Sequence, residues 1–425
     1  MDRRLRSKGR IRIPGTTELL LLLLEYAWVL TVILNGNSVY HASAQKEYHL
    51  LELCVLLTVV LLLANWFTGR VRVVVREVIV AVGLLLYSVV YISARQDSMS
   101  VVDFAFLFAG GLPSLYLLFV ALHKEGRLLQ LIFKFVTVLT VLAAISIYFW
   151  LFGSNMRWIR PTTSFFINWG YTKRIYGFHG IHFQTQLDTT FLREEFIYRN
   201  SSIFAEAPMY NLWLDIALAI ELFLKKKPSR GRVILLAVTV LTTMSVTGIL
   251  FLVLCTVLWI VQDYRKQSAF MKRMIIAVTL LLMFPVLVAL VSYSLMMKSD
   301  TTSYILRLSD YVAGVKLWWE YPIFGGGYAN LRALQQYSYD PNGVLGFSNS
   351  VSAVLGTGGL WMSVLFFLPH FGMVLPRASG SREYSCFGIC YLFLFCTTAY
   401  FGRFVAVMMI AFEAVLILYP RRKVT

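Results

Sequence analysis

Apolar runs recur along nearly the whole chain, and they decide what it can become. Uninterrupted runs lie at 17–34, 48–67, 77–94, 102–122, 128–152, 204–224, 274–296, 350–370, 385–400 and 404–419. A helix rises ~1.5 Å per residue, so each run crosses, or nearly crosses, the ~30 Å hydrocarbon core of a bilayer. Inside lipid the backbone must satisfy its own N–H and C=O groups, which makes a helical bundle the architecture for such a series. Composition fits: 58% of the 425 residues are hydrophobic and 14% charged, too little polar surface to cover a soluble domain.

The stretch 233–262 is broken at Ser245-Val246-Thr247-Gly248. Lys225, Lys226, Lys227, Arg230 and Arg232 precede it, and Arg265, Lys266, Lys272 and Arg273 follow. Short basic loops stay cytoplasmic. Both ends therefore lie on one side, and the stretch goes in and returns, as two short spans or a re-entrant hairpin turning at 245–248. A helix of about 15 residues reaches only ~22 Å, so the turn belongs in a recess below the outer surface. The topology then closes at about twelve transmembrane helices with both termini cytoplasmic. The inner segments are 1–15, 68–76, 123–134, 225–232, 263–273, 376–384 and 420–425, and they hold two thirds of the 39 Lys and Arg. The predicted fold is an all-α polytopic membrane protein, one integral domain over 1–425, with long outer loops at 153–203 and 297–349. The basic N-terminus leads into a run that continues past Tyr26 and Trp28 with no small-residue cleavage site, so the first span is expected to be retained.

A net charge of +17 raises the possibility of nucleic-acid binding. The basic residues, however, sit in short clusters between apolar runs, where inner loops meet an anionic leaflet. The five cysteines, Cys54, Cys255, Cys386, Cys390 and Cys396, all fall inside apolar runs and read as small buried hydrophobes. His179 and His182 make an incomplete metal-ligand set. No phosphate-binding P-loop, nucleophile elbow or zinc-protease motif occurs.

The charges that stand out lie where the outer loops meet the bundle. Arg199 precedes the sixth span in Arg199-Asn200-Ser201-Ser202-Ile203-Phe204-Ala205-Glu206-Ala207-Pro208. Pro208 suits a first helical turn, and Glu206 suits the helix dipole, so capping is its structural alternative. Arg307 opens an amphipathic stretch, with Tyr304, Leu308, Tyr311, Val315 and Trp318 at helical spacing, expected to lie on the membrane surface; pairing with Asp310 is its alternative. Arg403 stands in the outer turn Phe401-Gly402-Arg403-Phe404, where snorkelling to a lipid phosphate is the alternative. Together they place three guanidiniums at one outer mouth, and a guanidinium is suited to bidentate phosphate recognition. Aromatics in the loops, among them Trp158, Trp169, Tyr171, Tyr337 and Tyr339, suit sugar stacking or interfacial anchoring.

Four pieces resemble, in order, spacing and sidedness, the O-antigen polymerase and ligase superfamily of bacterial surface-polysaccharide assembly. They are Arg199 to Pro208, the break at Ser245-Val246-Thr247-Gly248, Arg307 followed by Trp318-Trp319-Glu320-Tyr321-Pro322-Ile323-Phe324-Gly325-Gly326-Gly327-Tyr328-Ala329-Asn330, and Ser348-Asn349-Ser350 leading to Gly356-Thr357-Gly358-Gly359-Leu360. The resemblance covers about residues 195–375. It implies a GT-C-like glycosyltransferase of the bacterial plasma membrane with its active site on the extracytoplasmic side. Its substrates would be undecaprenyl diphosphate-linked oligosaccharides, as donor and acceptor, and it would need no nucleotide sugar, no metal and no other cofactor. In the family, arginines at the positions matched by Arg199 and Arg307 engage the lipid diphosphate. Glu206 is then the candidate base, and Arg403, Asn349, Ser348, Tyr210 and Arg332 are the substrate-binding candidates. Membrane lipid and a chain-length regulator are further partners; nucleic acid is not.

Two positions depart from the pattern. The ligase branch has a histidine where this chain has Ser348, which argues for a polymerase. The polymerase glutamate directly precedes proline, whereas Ala207 separates Glu206 from Pro208. The expected activity is repeat-unit polymerisation, with a ligase or a lipid-linked oligosaccharide flippase as alternatives. A flippase would need a charged pathway and, usually, repeated halves, and the halves here are uneven.

Overall fold

A computed structural model of the chain describes residues 15–188, 197–264, 302–338 and 347–420, without the side chains of residues 96, 188, 263–264 and 302–307. The expected run 274–296, the terminal basic segments and Tyr339 lie outside the described residues.

Helices stand at the other expected runs: α1 Thr16–Asn35, α2 Leu50–Phe67, α3 Val75–Arg95, α4 Val101–Lys124, α5 Leu128–Asn155 and α6 Ala207–Leu224. They continue with α7 Arg230–Thr242, α8 Val246–Tyr264, α9 Thr302–Glu320, α10 Ser350–Val374, α11 Arg382–Thr397 and α12 Phe404–Leu418. Among the described residues seven, α1 to α6 and α10, are long and apolar enough to cross a membrane, and α12 is a shorter apolar helix. The chain is a multi-pass helical membrane protein. The broken stretch is two helices, α7 and α8, but the turn runs through Thr243, Met244 and Ser245 rather than 245–248, since Val246, Thr247 and Gly248 already belong to α8; Met244 takes the left-handed region at φ 51°.

At the end expected inside, buried acids collect the basic loop residues. Glu25 meets Lys134 and Arg127, Glu77 meets Lys124 at 2.8 Å, and Glu221 meets Lys225 at 2.8 Å. A buried carboxylate needs such a partner to offset its desolvation. α6 runs through the middle of the bundle with 89% of its span buried. Its Trp213 stacks on Phe135 of α5, and its Tyr210 stacks on Phe204.

The helix expected on the membrane surface is present as α9, but it packs along α10. Asp310, Ala313 and Leu317 are buried, while Leu308, Val312, Val315 and Trp319 are exposed. A Cβ on Gly314 would lie 2.3 Å from the Ser352 carbonyl, and one on Gly356 would lie 2.8 Å from that of Gly314. In lipid, helices approach through small residues while large apolar side chains face the acyl chains. Val312, Val315 and Trp319 are thus the side left for lipid, while Leu308 and Tyr311 line the large cavity instead.

The first outer loop contains strands that the all-α expectation leaves out. β1 Thr163–Trp169, β2 Tyr171–Phe178 and β3 His182–Gln184 form an antiparallel sheet, and β4 Leu187–Asp188 pairs with β5 Ile197–Tyr198. Ile167, Ile175 and Phe183 pack on Val39, Ala42 and Ala205, so the sheet lies on loop 36–49 and on the entry to α6. The alternation Phe165, Ile167, Trp169 is a period-two signal, short enough to be hidden among longer apolar runs.

Candidate functional site

The helix ends expected outside and the sheet enclose a cavity of about 2640 Å³. Three of its walls carry most of the residues singled out from sequence.

The first wall is where α6 begins and α7 ends. Arg199 follows β5, and its backbone N–H donates to the Gln186 carbonyl at 3.1 Å. Its Nε donates to the Thr243 carbonyl at 2.9 Å, just past the end of α7, where the helix dipole favours a cation. Asn200, fully buried, holds the neighbouring position through Ser146 and Thr242. Glu206 is the N-cap residue of α6 by its extended backbone, yet its side chain makes no capping bond. Instead its carboxylate accepts from the Trp169 indole at 3.1 Å. Lys173 of β2 stands near enough for Glu206 to raise its pKa, although burial sets the net direction downward. The loop folds this way because Gln186 binds both sides: its carbonyl takes Arg199, and its side-chain oxygen takes the Ala207 N–H at 3.0 Å.

The second wall is the turn before α12. Arg403 donates to Nε2 of His41. Burial, helped by the guanidinium, pushes the His41 imidazole down to about 3, so it stays neutral and serves as the acceptor. Burial also lowers Arg403 to about 10, with Asp103 of α4 pulling the other way; the guanidinium keeps its charge at neutral pH. His41, Asn168, Trp169 and Arg403 line a smaller recess together. Trp169 thereby joins this wall to Glu206.

The third wall is the turn between α9 and α10. Tyr328 donates to the Phe401 carbonyl at 2.5 Å. Gly325, at φ 67°, lies against Gly359, at φ 60°, in the kink of α10; a Cβ on either would lie 2.4–2.5 Å from the other's backbone nitrogen. Only glycine allows two backbones this close in this conformation. Arg332 is exposed at the rim, on the short helix Leu331–Gln335 capped by Asn330.

Arg199, Glu206, Arg332, Ser348 and Arg403 line the cavity. Two of the expected substrate-binding residues stand behind its walls. Tyr210 is fully buried, with its hydroxyl 2.8 Å from Ser146 Oγ. Asn349 caps α10, accepting from Ser352 N and Oγ at 2.9 and 2.7 Å. Both are shaped by packing needs that a linear sequence does not display. Arg307 lies in the first turns of α9, and its side chain lies outside the described residues. Its expected partner Asp310 accepts from the Ser348 N–H at 2.9 Å. Sequence reasoning missed His41 and Arg95, both on the cavity wall. Arg95 carries the same signal as Arg403, an arginine at the outer end of a span. His41 carries no local signal, since its meaning comes from Arg403.

A family model described as O-antigen ligase matches residues 232–367. The match supports the O-antigen polymerase and ligase superfamily and takes in α7 to the kink of α10. Among curated proteins none matches the chain.

Proposed function

We propose that this protein is a repeat-unit polymerase that transfers a growing glycan from undecaprenyl diphosphate onto a lipid-linked repeat unit at the outer face of the bacterial plasma membrane. The observation that carries the reading is the gathering on one cavity of Arg199 and Glu206, from one segment, with Arg403, from a segment far along the chain. A hydroxyl of the repeat unit attacks the anomeric carbon of the chain. The bond from that carbon to the diphosphate oxygen breaks, and undecaprenyl diphosphate leaves with the electron pair. The hydroxyl proton passes to Glu206, a carboxylate that lines the same cavity as Arg199. The guanidiniums of Arg199 and Arg403, and that of Arg307 as the family resemblance implies, stabilise the charge gathering on the leaving diphosphate; one preorganised donor is worth roughly 3–4 kcal/mol of barrier. Diphosphate is a good leaving group, so neither a strong acid nor a metal is required.

The family description favours a ligase as second reading, in which the finished glycan passes to a different acceptor. Ser348, where the ligase branch has histidine, favours the polymerase. The test is the purified protein in liposomes supplied with lipid-linked repeat units. Lengthened chains mean polymerase; transfer only to an added lipid acceptor means ligase; movement across the bilayer without a new bond overturns both.

A further inference from the structure

Arg95 ends α3, and its guanidinium lies over the Tyr321 ring at 4.8 Å. The face of α3 that leads to it is pinned one turn at a time. Tyr87 stacks on Trp361 at 4.3 Å and donates to its carbonyl. Tyr91 donates to the carbonyls of Phe324 at 3.0 Å and Thr357 at 2.9 Å. Beyond Arg95, the Ser98 carbonyl presses on Gly327, where a Cβ would lie 2.3 Å away. Residues at intervals of four share one helix face, so the last turn of α3 is clamped on the 321–328 turn and presents Arg95 to the cavity it lines.

The charge of Arg95 is unanswered by the protein. Lys124, Arg127, Lys134, Lys225 and Arg232 all form ion pairs with buried acids. Arg95 forms none among the described residues, and its Nε is buried with no hydrogen-bond partner. Asp97 and Asp103 share the cavity, and neither pairs with it. A buried donor without an acceptor is costly, and a bound anion removes that cost. A guanidinium stacked on a ring keeps its N–H groups in its own plane, where they match the oxygens of a phosphate.

We infer that Arg95 on Tyr321 is a second phosphate seat in the cavity, on a wall apart from Arg199, and that it takes the diphosphate of the second lipid-linked substrate. The inference rests on the proposed glycosyl transfer, in which one diphosphate leaves and another stays on the product. Each diphosphate then needs its own cation. Arg199 at the end of α7 and Arg95 at the end of α3 keep the two apart.

Binding stoichiometry tests this. Purified protein in detergent is titrated with farnesyl diphosphate and read by native mass spectrometry, with gel filtration to check each variant. Wild type should hold two equivalents, and Arg95→Gln and Arg199→Gln one each. Tyr321→Leu, which leaves the arginine but removes its platform, should also hold one. Two equivalents retained by both Arg95→Gln and Tyr321→Leu, or a single equivalent on wild type that Arg95→Gln leaves in place, would overturn the seat. No binding by wild type would overturn the functional reading itself.

Discussion

The guanidinium of Arg403 donates to the imidazole Nε2 of His41, 362 positions earlier in the chain. The partner is a neutral base, so the bond orients the arginine without cancelling its charge. That arrangement leaves Arg403 available to an anion in the cavity, and it fixes how the protein responds to acid.

His41 is pushed down to about 3 from an ordinary value near 6.5. Below about 6.5 the unfolded chain binds a proton at this site and the folded protein does not. Stability is therefore fully present above 6.5 and falls as pH drops towards 3, by up to about 1.4 kcal/mol per pH unit from this group. Thermal unfolding in detergent between pH 7 and pH 4 should show a steeper loss for wild type than for His41→Gln. Equal slopes would mean that His41 does not stay neutral in the folded state.

Arg199→Ala should reduce chain lengthening by about 10²–10³-fold, the effect of removing one preorganised donor from a developing negative charge. Arg199→Lys should also be poor, because an ammonium cannot donate to the Thr243 carbonyl and offer a planar fork at once. Quantified polymer from membranes with equal amounts of inserted protein is the measure. Full-length product from Arg199→Ala would sink the proposed mechanism.

Gly325→Ala should abolish the monodisperse protein in detergent. The left-handed backbone alone costs an alanine about 1–2 kcal/mol, and its Cβ would collide with the backbone of α10. Gly83→Ala, in the middle of α3 with open space around it, should raise stability by about 0.5–1 kcal/mol. Equal yields of the two variants would disprove the close packing at the kink.

Chain lengthening should survive EDTA unchanged, since the proposal assigns charge stabilisation to guanidiniums. Activity that disappears with chelator and returns with magnesium or manganese would show that the arginines act with a metal.

The Arg199 to Pro208 segment shows how far local signals reach. An arginine, an acid and a proline ahead of an apolar run mark a helix entry beside the outer surface, and the structure has α6 begin there. The same letters do not say that the carboxylate turns to Trp169 and leaves the helix uncapped, because that choice depends on a β-hairpin folding over it. Tyr210 looks equally eligible for substrate, yet it is sealed against Ser146. Its orientation depends on which face of α6 meets α5, and α6 is buried nearly all round.

By itself the sequence determined the bundle: which of the described apolar runs are helices, and that the 233–262 stretch breaks and turns back, although the turn is at 243–245 and not at 245–248. Those features follow from the one-dimensional cost of placing peptide groups and charges in lipid, which each segment meets alone. Tertiary structure decided which charges share a cavity, that α9 lies along α10 through Gly314 and Gly356, and that His41 and Arg95 belong to the site. Such relations depend on close approach between segments far apart in the chain, and short-range packing and hydrogen bonding act only once those segments have met.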